Sequence, residues 1–329
     1  MTTIESTQFR IPNLRDVYRA REVVRRYLRP TPLFYSRGLS KELGCEVHLK
    51  LENLQPTRAF KVRGGVNYMN RRKEDAVKQG VVTASTGNHA QSIAYAGWLF
   101  GVDVTIVMPH GVPQLKTDAV KELGAEVVTY GNYYDEAREY AEKSAEVTRR
   151  LYVHGSNEPL LIEGVATMHL EAFEELPNVD VVINPIGGGS GAASACIVYK
   201  TLNPSVRVIG VQAEGAPAAY QSWKSGTVKQ TDGIKTDAEG LATARGYELP
   251  LSILRNTLDD IVLVSDEEMR QAIRSLFRMT GQVAELSGAA STAAAFKINE
   301  ELRGKNVIIL VSGGNIQPKK LADILSTED

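Results

Sequence analysis

Short β-branched runs recur along the chain, and a stretch with helical spacing separates most of them from the next. EVHLKL (46–51), GVVTAS (80–85), DVTIVMP (103–109), EVVTY (126–130), VDVVINP (179–185), VRVIGVQ (206–212) and NVIILVS (306–312) are mostly apolar on both faces. That is the pattern of strands buried in a parallel sheet. Leu14, Val17, Val24 and Leu28 give one apolar face to a first helix, which Pro30 and Pro32 stop. Residues 135–149 read as an exposed, charged helix with an alanine face. Ser265 with Glu268 three residues on is a capping box that opens a helix through Arg278. The alternation implies an α/β fold of open parallel sheets. No repeat, low-complexity tract or long linker divides the chain, so two domains have to interleave. The expected arrangement is a small domain at 72–150, inserted into a larger one made of residues 1–71 and 151–329.

Composition narrows the function classes. The 329 residues are 43% hydrophobic, enough for a sizeable core. The 38 basic and 39 acidic residues leave a net charge of −1, and no basic run points to nucleic acid or an anionic membrane. The opening MTTIESTQFRIP lacks the apolar core of a signal peptide, and no stretch approaches the roughly 18 apolar residues of a membrane span. Cys45 and Cys196 each sit among apolar or small residues and read as buried thiols, not as a disulfide framework. The expectation is a cytoplasmic protein acting on a small molecule.

Four strand ends run into glycine or small polar residues: STGNHAQ (85–91), PIGGGSG (185–191), QAEGAPA (212–218) and SGGN (312–315). Ligands of open parallel sheets bind outside the carboxyl ends of the strands. In PIGGGSG, Gly187, Gly188 and Gly189 free the backbone to approach a ligand, and their N–H groups can form a nest for a phosphate. Ser190 adds a hydroxyl, and the helix that follows adds the positive end of its dipole. No Gly-Lys-Ser/Thr follows, which disfavours ATP hydrolysis, and the motif is not in a first βα unit as a dinucleotide fingerprint would be. A tight strand–helix turn without a ligand is the plain alternative for this loop alone. The stretch QPTRAFKVRGG (55–65) supplies the second element, Lys61 between Phe60 and Val62. An apolar setting lowers the pKa of a lysine and frees its amine to attack an aldehyde. A phosphate cradle with such a lysine suggests pyridoxal 5′-phosphate, which acts as an electron sink for a carbanion at Cα. Once a substrate amine displaces it, the lysine can take the Cα proton.

The set KLENLQPT with FKVRGG, then STGNHAQ, PIGGGSG and SGGN in this order, resembles the fold-type II pyridoxal-phosphate enzymes. Within them it is most similar to the branch of serine/threonine dehydratases (threonine ammonia-lyases) and serine racemases. The resemblance runs from about residue 20 to 325. It implies two interleaved open-sheet domains like those of the tryptophan synthase β chain, and assembly as a homodimer or homotetramer. It also assigns roles. Lys61 would carry the cofactor as a Schiff base, Asn88 would bond the pyridine 3-hydroxyl, and Phe60 would pack near the ring. Gly187, Gly188, Gly189, Ser190 and Gly191 would hold the phosphate, and Ser312 would face the pyridine nitrogen. Ser85, Thr86, Gly87 and His89 would shape the pocket for the substrate carboxylate. Glu285 would stand behind the site. The implied reaction removes water from a β-hydroxy L-amino acid, leaving a 2-keto acid and ammonia. A racemase or a β-replacement synthase is the alternative on the same fold, and a phosphate-ligand binding protein without catalysis is the alternative from another class.

Several positions depart from the branch pattern. Thr-Gly-Ser-Phe-Lys is here Thr57-Arg58-Ala59-Phe60-Lys61. Thr86 is a catalytic candidate beside Lys61: it stands where simple dehydratases often have alanine and serine racemases a serine that works the opposite face of Cα, and its hydroxyl would shuttle that proton. GGGSG replaces the commoner four-glycine run, as in some dehydratases of hydroxyectoine breakdown. The metal-activated members hold a cation with two carboxylates and a backbone carbonyl at positions that are here Gln212, Ala218 and Ala216. Gln212 offers one neutral oxygen and Ala218 none, so no metal is expected. Glu214 lies two residues off the register. No regulatory domain like that of the biosynthetic threonine dehydratases is expected after about residue 326. Tyr133 and Tyr134 read as surface residues at a helix start. His48, His110, His154 and His169 have no metal-ligand spacing and read as structural.

Overall fold

The computed structural model describes residues 9–327, so most of the amino-terminal stretch read above as lacking a signal peptide lies outside the described residues. Ten strands form two sheets among the described residues. In chain order they are β1 (Leu33–Tyr35), β2 (Glu46–Leu51), β3 (Val81–Ala84), β4 (Val104–Met108), β5 (Glu126–Thr129), β6 (Leu151–Tyr152), β7 (Val181–Pro185), β8 (Arg207–Ala213), β9 (Asp260–Val264) and β10 (Asn306–Val311). The larger sheet runs β1-β2-β10-β7-β8-β9 and the smaller β5-β4-β3-β6. Every pairing is parallel except that of β1 with β2. All seven hydrophobic runs become strands. β1, β6 and β9 lie outside those runs, and β6 places the last strand of the small sheet at residues 151–152, paired with β3.

Strand residues alternate between two apolar layers, as burial on both faces requires. Val307, Ile309 and Val311 pack with Met269, Ala289 and Ala293 on one side of the large sheet. Ile308 packs with Ile162, Ala166 and Ala193 on the other. The small sheet is covered likewise. Ala137, Ala141 and Ala145 form the apolar face of the helix Tyr134–Thr148 and bury against Val82, Ala84 and Val107. The helix Asp266–Thr280 opens with both bonds of the Ser265–Glu268 capping box. The first helix, Leu14–Val24, ends a turn earlier than Leu28 and the prolines suggest, although Leu28 stays buried. No helix among the described residues is long and apolar enough to cross a membrane.

Three helices cross where the two sheets adjoin: Lys61–Arg71, Asn88–Phe100 and Pro159–Glu175. Gly64, Gly65 and Gly164 stand at the crossings. A Cβ on Gly65 would lie 2.4 Å from Ser92 Oγ, and one on Gly164 would lie 2.4 Å from the Arg63 carbonyl oxygen. Beside this contact four charges are buried together. Arg63 donates through Nε and Nη2 to Glu52, at 2.8 Å each, and through Nη1 and Nη2 to Glu171, at 2.8 and 2.7 Å. Its remaining donor reaches Thr167 Oγ1 at 3.1 Å. Lys50 Nζ donates to Glu171 at 2.9 Å and to the Thr31 carbonyl at 2.7 Å. Burial alone would raise the Glu52 carboxyl, but the Arg63 guanidinium outweighs it and holds the carboxyl below the usual range.

Replacing Arg63 with methionine removes one member of a balanced set and leaves buried carboxylates short of a partner. The expected loss is about 3–5 kcal/mol of stability, as for other broken buried pairs. A shift in urea midpoint worth less than about 1 kcal/mol would show that water already reaches the cluster.

Candidate active site

Lys61 is the first residue of its helix, and the segment before it is pinned to the loop that leaves β10. Phe60 N–H donates to the Ser312 carbonyl at 3.1 Å, and Gly314 N–H donates to the Arg58 carbonyl at 2.8 Å. Arg58 itself is exposed, with φ of 53°, in the left-handed region that glycine enters without cost. This is the position the branch pattern gives to glycine. Ser92 Oγ donates to the Lys61 carbonyl at 2.6 Å and ties the start of the helix to the small sheet's first helix. The Lys61 amine sits 5.4 Å from the centre of the Phe60 ring and donates to Ser190 Oγ at 2.8 Å. Burial lowers its pKa to about 8. Phe60 thus forms part of the apolar setting read from the sequence. Val62 packs instead into the core beneath the small sheet, with Val66 and Ile93.

The loop after β7 brings Ser190 to that amine. A Cβ on Gly187 would fall 2.0 Å from the Gly240 carbonyl oxygen, and one on Gly188 would fall 2.1 Å from Ser156 Oγ. Gly189 has φ of 92° and ends the turn into the helix Ser190–Leu202. No carbonyl or side chain among the described residues accepts from the amides of Gly187, Gly188 and Gly189. These N–H groups, with the helix amino terminus behind them, form an anion nest of the kind a phosphate fills. Beneath it, His169 Nε2 lies 3.3 Å from the Gly191 carbonyl, and burial holds the imidazole pKa to about 3.

The loop after β3 faces the same cleft. Ser85 Oγ accepts from the amides of Gly87 and Ala90, at 3.3 and 3.2 Å, so the hydroxyl shapes the loop. Thr83 Oγ1 donates to the Val153 carbonyl at 2.6 Å and lies 3.0 Å from His89 Nε2. With its hydrogen spent on that carbonyl, Thr83 accepts from the imidazole. His89 is therefore a neutral brace between the small-sheet strands and their loop, and burial keeps its pKa near 3. Thr86 and Gly87 are half-buried, and among the described residues the Thr86 hydroxyl has no hydrogen-bond partner. Asn88 is held at both ends. Its Nδ2 donates to Glu285 Oε1 at 2.7 Å, and its Oδ1 accepts from Asn315 Nδ2 at 2.7 Å. Glu285 is buried, and desolvation pushes its pKa up to about 7. Ser312, at the end of β10, is buried, with its hydroxyl 3.3 Å from the Ser287 carbonyl.

Residues that the sequence reading gave no role complete the enclosure. Asn315 also donates to the Thr57 carbonyl at 2.9 Å and so joins the Lys61 turn to Asn88. Ser156 and Gly240 wall the glycine loop. His154 Nδ1 accepts from the amides of Ser156 and Asn157 at 3.0 Å each, and its ring lies 5.4 Å from that of Tyr247. Tyr133 is exposed. Tyr134, the first residue of the helix Tyr134–Thr148, is exposed as well, although its phenol pKa is raised by burial and by Tyr247 and Tyr152 beside it. Burial raises Cys45 to about 11 and Cys196 to about 12, the values of unreactive thiols.

At the loop after β8, Gln212 Oε1 accepts from the Tyr220 amide at 2.8 Å, and its Nε2 is buried without a partner. Ala216 and Ala218 are fully buried. Glu214 faces Lys297 Nζ at 3.2 Å, an ammonium that also pairs with Glu268. An amide with its oxygen engaged and a carboxylate already paired are poor ligands for a hard cation.

Comparison with known proteins agrees with this geometry. A family model described as pyridoxal-phosphate dependent enzyme matches residues 24–313. An L-threonine ammonia-lyase of Thermotoga maritima is 39% identical over 313 residues, spanning 95% of this chain and 78% of that one. A catabolic L-threonine dehydratase of Staphylococcus aureus is 35% identical, over 96% of this chain and 92% of its own. Among solved structures, maize serine racemase superimposes with a TM-score of 0.90 at 29% identity, covering 95% of this chain and 97% of that one. A threonine deaminase of Solanum lycopersicum gives 0.89 at 29% identity, covering 98% and 93%.

Lys61→Ala should abolish the visible absorbance of bound cofactor and lower turnover at least about 10³-fold, because nucleophile and base are lost together. In the cofactor-free wild type, only the neutral amine attacks an aldehyde, so the rate of cofactor uptake should climb with pH and level off above about 8. Retained turnover in the variant, or uptake independent of pH from 6 to 9, would remove Lys61 from this role. A separate expectation concerns metal. Turnover in metal-free buffer should be the same with and without EDTA, and a loss restored by magnesium would make Glu214 a ligand despite its pairing with Lys297.

Proposed function

The chain belongs to the pyridoxal-phosphate dependent enzymes, and from that premise we propose that it is a dehydratase (ammonia-lyase) of β-hydroxy L-amino acids of the threonine and serine type. The observation that carries the reading is the Lys61 amine, buried, lowered to about 8, and placed against the glycine loop. The cofactor supplies the electron sink that makes the substrate Cα–H acidic. Lys61 Nζ then takes that proton. The amides of Gly187, Gly188 and Gly189, with Ser190 and Gly191 at the helix start, would hold the cofactor phosphate. Asn88, clamped between Glu285 and Asn315, would hold the cofactor ring by its amide, and Ser312 would supply a neutral hydroxyl as the ring's polar partner. A neutral partner there protonates the ring less than a carboxylate would, which fits elimination better than transamination. Thr86 and Gly87 face the substrate carboxylate, while Ser85 and His89 keep their loop in shape. Loss of the β-hydroxyl leaves an unsaturated amine that water converts to a 2-keto acid and ammonia.

In this reading the inserted small domain runs to residue 152, two residues beyond 150, because β6 hydrogen-bonds with β3. Cytoplasmic placement and assembly as a homodimer or homotetramer belong to the same reading and rest on composition and family resemblance. A racemase is the second reading, favoured by the unengaged Thr86 hydroxyl on the cleft wall. Incubation with L-threonine, L-serine, phenylserine and 3-hydroxyaspartate separates the two. Keto acid and ammonia are expected from at least one of them. Enantiomer without keto acid would replace the proposal with the racemase, and no reaction with any of the four would end both.

A further inference from the structure

A departing hydroxide needs a proton, and the cleft holds few groups that can give one. Of the buried acids and imidazoles around the amine, His89 is a neutral donor committed to Thr83. Glu285 is committed to Asn88, and the Glu52 and Glu171 carboxylates are saturated by Arg63 and Lys50. Ser190 is different. It is 2% exposed, it occupies the first position of the helix Ser190–Leu202, and its oxygen accepts from Lys61 Nζ at 2.8 Å. Among the described residues no group accepts the hydrogen of this hydroxyl, which leaves it available for donation into the cleft. The positive end of the helix favours the partial negative charge that develops when it is given up.

We propose that Ser190 is a catalytic residue whose hydroxyl relays to the departing β-oxygen the proton that Lys61 takes from Cα; this rests on the dehydratase reading above. The balance closes within the site. The Cα–H bond breaks and Nζ–H forms, and the electron pair becomes the Cα=Cβ bond as Cβ–O breaks. The leaving oxygen takes the proton of Ser190 Oγ, and Oγ takes one from Nζ. Water departs, Lys61 returns neutral, the serine hydroxyl is restored, and no oxidant or reductant is required. Ser190 thereby does two things at once, holding the amine toward the phosphate loop and supplying a proton donor in direct contact with Lys61.

L-Serine and β-chloro-L-alanine test this, because both yield the same keto acid and only hydroxide needs a proton to leave. For Ser190→Ala, the ratio of kcat/KM on serine to that on β-chloroalanine should fall at least about tenfold, within the range general acids contribute. Ser190→Thr, which keeps the hydroxyl, should restore the ratio. Equal losses on both substrates, or none, would reduce Ser190 to a phosphate contact and overturn the relay. Wild type that makes keto acid from β-chloroalanine but from no β-hydroxy amino acid would instead overturn the dehydratase reading beneath it. A second readout needs no turnover. In cofactor-free protein carrying ¹³Cε-lysine, with the Lys61 signal assigned by its loss in Lys61→Arg, the titration midpoint of Lys61 should move down in Ser190→Ala. An acceptor for the ammonium has been removed there, and it is retained in Ser190→Thr. A midpoint that stays in place in Ser190→Ala would show that the hydroxyl does not hold the amine.

Discussion

Arg63 has every one of its donors spent on partners that are themselves buried: two carboxylates and a threonine hydroxyl. Those partners come from three places. Glu52 follows β2, Glu171 and Thr167 lie on the helix Pro159–Glu175, and Arg63 is on the helix that starts at Lys61. Two positive and two negative groups cancel within a few ångströms. A dry charged cluster is tolerated only when paired and fully hydrogen-bonded, so the segments that supply it have little freedom to shift. The bidentate fork fixes direction as well as distance. The start of the Lys61 helix is therefore set by a constraint that lies outside the cleft, on the side away from the chemistry.

A second set of polar links crosses between the two sheets. Asn88 belongs to the helix that follows β3 in the small sheet, while Glu285 and Asn315 belong to segments around β10 in the large one. With both ends of the Asn88 amide engaged, its orientation cannot reverse without breaking two short hydrogen bonds. Ser92 acts in parallel by binding the Lys61 carbonyl. The close crossings at Gly65 and Gly164 allow such bonds, because a side chain at either position would hold the helices apart. The paired glycines after Lys61 thus act in packing, whereas those after β7 leave their amides without an acceptor among the described residues.

How far the sequence could be read depends on whether a signal is local. The β-branched runs and the capping box are local, and they appear as drawn. Lys61 and the glycine loop were legible because their chemistry is carried by residue type within a few positions, although 129 residues separate Lys61 from Ser190. β6 was not legible, since two residues hold no periodicity, and neither was β1, three residues behind a proline. Arg63 could be read equally as solvated or paired, because its partners lie 11 and 108 residues away. Glu285 meets Asn88 across 197 residues, and nothing near either residue announces the other. The family resemblance suggested where Glu285 stands, but its partner emerges only from the tertiary fold.

Lys61 and Arg63 are two residues apart on one helix, and that spacing separates opposite electrostatic needs. A step of two turns the side chain by about 200°, so Arg63 enters the charged cluster while Lys61 enters the cleft. An unpaired carboxylate near Nζ would stabilise the ammonium and raise its pKa. Glu52 and Glu171 do not act in this way: their charge is cancelled by Arg63 and Lys50, and burial alone sets the Lys61 shift. Glu285, behind Asn88, is itself raised to about 7 and so carries only part of a charge near neutrality. The amine is thus kept reactive by what the fold has neutralised around it as much as by the apolar ring of Phe60 beneath it.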